Sequence, residues 1–94
     1  MQARVARYEV PSDRSDEAVE GFIDSAEMDG FQGGYVFVDS ETGATMTLTF
    51  WQSQAAAETS STRAASARRR AVSAVDGGVQ SVQDFDVVRE FGDS

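Results

Sequence analysis

A chain of 94 residues has the length of one domain, and a monomer of this size buries so little surface that self-association is expected. It contains no cysteine and no histidine, which excludes disulfides and thiolate metal sites and removes the commonest general base and haem ligand. The formal net charge of −8, with eight arginines as the only basic residues, disfavours contact with nucleic acid or anionic membranes.

The first part of the chain predicts a strand followed by a helix. Residues 2–10 form an extended run that ends at Pro11, because proline lacks a backbone N–H and favours extended geometry in the residue before it. After a polar turn, apolar residues recur at helical spacing: Val19, Phe22, Ile23 and Ala26. Gly30 then suits the left-handed conformation that commonly ends a helix.

Two strands, at 34–39 and 44–51, are predicted to form a hairpin. The segment Ser40-Glu41-Thr42-Gly43 is typical of a type I turn with a glycine bulge, which would pair Ser40 with Ala44. In this register one sheet face is aliphatic and aromatic and is expected to lie under the helices. The other face mixes aromatic side chains with threonines: Tyr35, Phe37, Thr45, Thr47, Thr49 and Trp51. That mixture favours a partly wet cavity or an interface over a solvent-exposed surface.

A second helix is predicted from a cap at Ser53 to about Asp76, with a break within 59–62, where serine and threonine have weak helix propensity. Its inward positions are predicted to be small: Ala56, Ala64, Ala67, Ala71 and Val75, with Val72 beside them. Residues 79–91 are the last predicted strand. The order βαββαβ is that of the α+β ferredoxin-like fold with an antiparallel sheet, as a single domain over residues 1–94.

Three features of the sequence allow both a functional and a purely structural interpretation. Trp51 could stack on a planar ligand or simply fill the core. The run Arg68-Arg69-Arg70 could bind phosphate, but the helix dipole also favours cations near the end of a helix, and the acidic chain favours that interpretation. Asp84 and Asp86 lie two residues apart on one strand, which indicates a polar edge rather than a catalytic pair.

The segments GGYVFVD at 33–39 and LTFWQSQAA at 48–56 resemble the core of the antibiotic biosynthesis monooxygenase-like family. The first strand with Pro11, the first helix and the closing strand are also similar. The resemblance implies a dimeric α/β barrel, in which two βαββαβ subunits pack their sheets face to face.

The family resemblance also bears on the chemistry of the site. Trp51 corresponds to a pocket tryptophan of the haem-degrading and quinone-forming members. Haem degradation is not expected, because that branch needs a histidine on the following helix and this chain has none. The quinone-forming branch uses an asparagine shortly before the tryptophan, and Thr47 stands in that region here.

The sequence is compatible with three functions, one of which is enzymatic. The favoured hypothesis is a domain that binds a small apolar or aromatic molecule, without a cofactor or metal, in a pocket formed by Trp51, Tyr35, Phe37, Thr47, Thr49 and Arg4. The first alternative is a cofactor-independent monooxygenase that oxidises a phenolic or anthrone-type substrate to a quinone, with Arg4 stabilising negative charge. The second is a structural homodimer or accessory subunit.

The expected partners are a second copy of the chain and a small ligand, but neither nucleic acid nor a membrane. No signal peptide or membrane span is recognisable, so a cytoplasmic location is expected.

Overall fold

The computed structural model describes residues 1–26, 28–39 and 41–92. The strands are β1 (Gln2–Glu9), β2 (Phe31–Val38), β3 (Ala44–Trp51) and β4 (Gly78–Asp86), and the helices are α1 (Ser15–Ala26) and α2 (Gln54–Ser73). The strands form one antiparallel sheet in the order β2-β3-β1-β4. The predicted α+β ferredoxin-like arrangement is therefore confirmed, although β4 ends five residues earlier than predicted, at Asp86 rather than at 91.

Both helices lie against one face of the sheet, and the hydrophobic core is between them. Ala6 and Tyr8 of β1 are buried there together with Phe22 of α1 and Val72 of α2. The rings of Tyr8 and Phe22 are stacked, with centroids 4.1 Å apart. Phe22 is a core residue as its helical spacing predicted, whereas Ile23 is 47% exposed on the outer side of α1.

The predicted register of the β2–β3 hairpin is wrong by one residue. Val36 pairs with Thr47, and Tyr35 pairs with Leu48. The loop contains four residues instead of the expected three, because the Asp39 N–H donates to the Ala44 carbonyl at 2.8 Å. Ser40, which was predicted to pair with Ala44, lies outside the described residues.

Side-chain hydrogen bonds within the loop account for its extra residue. The Asp39 carboxylate accepts a hydrogen bond from the Glu41 N–H at 2.9 Å, so the turn begins at Asp39. The Thr42 hydroxyl accepts a hydrogen bond from the Ala44 N–H at 3.2 Å. The Ala44 N–H is therefore already used and does not serve the predicted pair of Ser40 with Ala44. Gly43 has a φ of 78°, the left-handed conformation predicted for it.

The shift of one residue changes which side chains share a face, because side chains alternate along a strand. The threonines of β3 and Trp51 lie on the face covered by the helices, whereas Tyr35 and Phe37 lie on the opposite face, which we call the open face. The aliphatic side chains that were predicted to lie together under the helices are likewise split between the two faces of the sheet. Val36 contacts the core, and Leu48 is on the open face beside Tyr35.

Helix α2 is continuous, so the break predicted within 59–62 is absent. The Ser60 hydroxyl donates to the Ala57 carbonyl at 3.0 Å and is thereby satisfied inside the helix. Ala64, Val72 and Val75 are buried as predicted, whereas Ala56 and Ala67 are only half-buried. The buried residues of α2 follow a spacing of three or four: Ala57, Ser60, Ala64, Arg68 and Val72.

Candidate ligand-binding site

A small cavity lies between the sheet and the two helices, and we call it the helix-side cavity. Its lining comes from four elements: Arg4 and Tyr8 of β1, Thr47, Thr49 and Trp51 of β3, Phe22 of α1, and Ala64 and Arg68 of α2. The cavity volume is about 20 Å³, which accommodates about one water molecule and no aromatic ring. Four of the residues predicted to form one pocket therefore meet here: Arg4, Thr47, Thr49 and Trp51.

The other two predicted pocket residues, Tyr35 and Phe37, are on the open face and do not share that cavity. They are 61% and 44% exposed, and their rings are stacked with centroids 6.0 Å apart. A shallow groove of about 470 Å³ on this face is lined by Tyr35, Phe50 and residues that include the C-terminal Phe91. The prediction that Tyr35 and Phe37 form one pocket wall with Trp51 is wrong. It depended on the predicted hairpin register, which differs from the observed one by one residue.

Trp51 is 1% exposed, and its neighbours hold the indole on several sides. The indole N–H donates to the Thr49 hydroxyl at 3.0 Å, and the Phe31 ring approaches it edge-on at a centroid distance of 5.8 Å. The guanidinium carbon of Arg4 lies 5.1 Å from the indole centroid, within the range of a cation–π interaction. Trp51 is therefore part of the packed core as well as of the cavity wall.

Arg4 is 2% exposed although it carries a full charge. Its Nε donates to the Asp84 carboxylate at 2.8 Å, and its Nη2 donates to the Ala57 carbonyl at 2.8 Å. The buried Nη1 has no hydrogen-bond partner among the described residues. Because Asp84 itself is 41% exposed, the ion pair connects the cavity wall to the protein surface.

Arg68 is a second buried arginine in the same lining, whereas its run was interpreted from the sequence as cations that the helix dipole favours near the end of a helix. Only 9% of the residue is exposed, and its buried Nε also lacks a partner within the described part of the chain. Burial lowers the pKa of Arg68, and the charge of Arg4 acts in the same direction. The burial of Arg68 could have been predicted from helical spacing, because Arg68 lies four residues after Ala64 and four before Val72, both predicted to face inward.

Tyr8 provides a neutral hydroxyl in the cavity. The Tyr8 oxygen is 3.2 Å from the Thr47 hydroxyl oxygen, and either group can be the donor. Burial raises the pKa of Tyr8, while the Thr47 hydrogen bond and the Arg68 charge oppose that shift. Tyr8 is therefore a neutral phenol at physiological pH and acts as a donor or acceptor.

The charge of the cavity contrasts with that of the whole protein. Two arginines line it, and no carboxylate is among its lining residues, whereas the whole chain carries a net charge of −8. A desolvated cationic site of this kind can stabilise an anionic oxygen, but its lining has no group suited to removing a proton at neutral pH.

The structure describes residues 1–26, 28–39 and 41–92. These residues contain no cluster of three or more acidic side chains arranged to hold a metal ion. Within the same part of the chain, neither helix combines the length and apolar character needed to cross a membrane.

No protein-family model and no curated protein match this sequence, but solved structures do match its fold. A Deinococcus radiodurans protein provisionally described as an antibiotic biosynthesis monooxygenase has a TM-score of 0.70 at 13% identity, covering 100% of this chain and 99% of the other. A variant of SnoaB, a cofactor-independent oxygenase from Streptomyces nogalater, has a TM-score of 0.68 at 12% identity, covering 98% and 97%.

The haem degrader MhuD from Mycobacterium tuberculosis, with two haems bound in its active site, has a TM-score of 0.64 at 19% identity over 98% of this chain and 100% of its own. At such identities the similarity establishes the fold alone. The resemblance found in the sequence is thus confirmed as an antibiotic biosynthesis monooxygenase-like fold.

Proposed function

We propose that the protein is a homodimeric binding domain that holds a small aromatic molecule in the helix-side cavity. The observation that carries the proposal is the convergence of three aromatic side chains, Trp51, Tyr8 and Phe22, with arginine and threonine groups around one cavity. Small-molecule sites typically combine an apolar wall with a few convergent polar groups. SnoaB and MhuD, which share the fold, act on or bind small molecules, and this supports a ligand-binding role.

A ring can enter only if the cavity enlarges, since its volume of about 20 Å³ is too small for one. We propose that outward movement of the Arg68 side chain supplies this room. Its buried Nε has no partner among the described residues to hold it in place. Arg68 is 9% exposed, so part of its long side chain already lies at the protein surface, and its charged end can reach solvent by rotation.

Fluorescence of Trp51 tests the proposal directly, because Trp51 is the only tryptophan in the chain. Titration with a panel of small phenols and naphthols is expected to give a saturable change in emission for at least one compound. Replacing Ala64, which lines the cavity, by leucine should abolish that change by filling the space the ring needs.

The matched control is Ala55→Leu, an exposed position on the same helix, which should leave the titration unchanged. The absence of any saturable response with the wild-type protein, together with no retained ligand in native mass spectrometry, would contradict the proposal.

The dimer is proposed from the open face of the sheet. Tyr35, Phe37 and Phe85 are 61%, 44% and 44% exposed there, and Leu48 and Phe50 lie half-buried between them. Several large apolar side chains on one flat sheet face are unusual for the surface of a monomer. A second copy of the chain would cover these groups with a surface of the same composition.

Phe37→Asp is expected to convert the dimer into a monomer, because two symmetry-related carboxylates would be buried in the apolar interface. Light scattering at micromolar concentration should then give 10.1 kDa in place of twice that mass. Ile23→Asp is the matched control, since Ile23 is 47% exposed on α1, away from the open face. A wild-type mass of one chain, or the same mass for both variants, would exclude this interface.

A cofactor-independent monooxygenase is the second candidate function. The two buried arginines favour it, because positive charge would stabilise the phenolate that such a reaction oxidises. The lining offers no base for the phenol proton, so the substrate would have to arrive ionised. Oxygen uptake measured with the same panel of phenols, at pH values above and below their pKa, separates turnover from simple binding.

A further inference from the structure

We propose that the helix-side cavity is a selective anion site, in which Arg4 and Arg68 together bind a small monovalent anion, and in which Arg4 binds the anionic oxygen of an organic ligand when Arg68 has moved outward. This inference rests on the proposed function, because it names the chemical class of the ligand for the same cavity. It also predicts a behaviour towards simple salts that neutral aromatic ligands would not produce.

Two unsatisfied donors carry the inference. Arg4 Nη1 and Arg68 Nε are both buried, both belong to side chains that line the cavity, and neither has a partner among the described residues. Buried donors of this kind are rare in folded proteins, because each loses its hydrogen bonds to water without replacement. Two of them at one cavity indicate a shared acceptor.

The local charge indicates that this acceptor is negative. The Asp84 carboxylate bonds only the Nε and Nη2 edge of Arg4, at 2.8 and 3.4 Å, which leaves the Nη1 edge free of acidic contacts. The Tyr8 and Thr47 hydroxyls are neutral and bond to each other. Arg68 is close enough to Arg4 for the Arg4 charge to lower the pKa of Arg68. An anion between the two guanidinium groups would offset both charges.

The size of the cavity narrows the choice of anion. A volume of about 20 Å³ suits a species of about the size of a water molecule. Bromide, or one oxygen of a formate, carboxylate or phenolate, meets that limit. Sulfate, with four oxygens, does not. The site is therefore expected to bind bromide in preference to sulfate. Stabilisation by bromide would be opposite to the general salt effect, in which sulfate stabilises folded proteins.

Thermal unfolding of the full chain in sodium bromide, with a parallel series in sodium sulfate at the same ionic strength, tests the site. The wild-type midpoint is expected to rise saturably, by roughly 5–10 °C when bromide is tenfold above its dissociation constant. Arg68→Gln should remove the rise. Arg69→Gln, an exposed neighbour with the same change of charge, should keep it.

The inference is overturned if the wild-type midpoint does not rise with bromide, or if Arg68→Gln and Arg69→Gln respond equally. Should Arg68→Gln not fold, anomalous diffraction from wild-type crystals soaked in bromide decides the matter. A peak within hydrogen-bond distance of Arg4 Nη1 and Arg68 Nε supports the site, and its absence overturns it.

Benzoate and its neutral counterpart benzamide separate this inference from the proposed function. Binding of bromide and benzoate, but not benzamide, supports both the anion site and an aromatic ligand. Binding of bromide with neither aromatic compound keeps the anion site and contradicts the proposed function. Binding of benzamide as tightly as benzoate, without bromide binding, keeps the proposed function and overturns the anion site.

Discussion

Replacing Trp51 by alanine is expected to lower the free energy of unfolding by about 3–5 kcal/mol, a large part of the total for a domain of this size. The side chain is 1% exposed, so the substitution leaves a cavity that the surrounding backbone can only partly fill. It also removes the edge contact with Phe31 and the ring beneath the Arg4 guanidinium. Urea unfolding followed by circular dichroism measures the loss without relying on tryptophan emission.

The control substitutions separate packing from a general effect of losing an aromatic ring. Trp51→Phe retains most of the apolar volume and should cost clearly less than Trp51→Ala. Phe91→Ala removes a ring that is 91% exposed and should change the free energy of unfolding by less than about 0.5 kcal/mol. A cost below about 1 kcal/mol for Trp51→Ala would show that the indole is not part of the core. If the larger loss is found, binding assays should use Trp51→Phe.

The order and type of the elements could be predicted because several local signals agree. Pro11 lies just beyond β1, Ser53 caps α2 by accepting a hydrogen bond from the Ala56 N–H at 3.1 Å, and Gly30 has a φ of 85°. Each of these signals depends on chemistry within a few residues. The hairpin register was harder to predict from the sequence, because it depended on whether the turn began at Asp39 or at Ser40. Two hydrogen bonds decided it, because the Asp39 carboxylate accepts from the Glu41 N–H and the Thr42 hydroxyl accepts from the Ala44 N–H.

The site was predicted in part, and its errors have physical causes. Arg4, Thr47, Thr49 and Trp51 do line one cavity, whereas the register shift places Tyr35 on the opposite face. Arg68 was assigned to the solvated end of a helix, because a cation among three arginines in an acidic chain is ordinarily exposed. In an alanine-rich helix, composition distinguishes the inward face poorly. Only the spacing of Arg68 from Ala64 and Val72 could have identified its position as buried.

Asp84 was interpreted as a polar strand edge, and its pairing with Arg4 makes Asp84→Ala the second substitution with a large expected effect. We expect a loss of about 2–3 kcal/mol in the free energy of unfolding, because Arg4 stays buried and loses its counter-ion. The value is below that for a fully buried pair, since Asp84 is 41% exposed and water screens its charge. Chemical denaturation of the wild type and the variant at pH 7 measures the difference.

Asp86→Ala is the matched control on the same strand, because Asp86 accepts its hydrogen bond from the neutral Gln2 amide. Asp86→Ala should lower the free energy of unfolding by less than Asp84→Ala does. An equal or larger loss would contradict the role assigned to the Arg4–Asp84 ion pair. Combining Asp84→Ala with Arg4→Met should recover most of the lost stability. The Ala57 carbonyl, which also accepts from Arg4, keeps the Ser60 hydroxyl as a partner in that double variant.

The Asp84→Ala variant also connects the stability of the cavity to its proposed ligand. Without Asp84 the two arginines have lost the one acid bonded to either guanidinium in the described part of the chain, so an anion in the cavity should bind more tightly. Bromide should therefore raise the unfolding midpoint of Asp84→Ala by more than that of the wild type, and the double variant lacking Arg4 should not respond. Equal bromide responses in all three proteins would show that the Arg4–Asp84 pair stabilises the fold without taking part in anion binding.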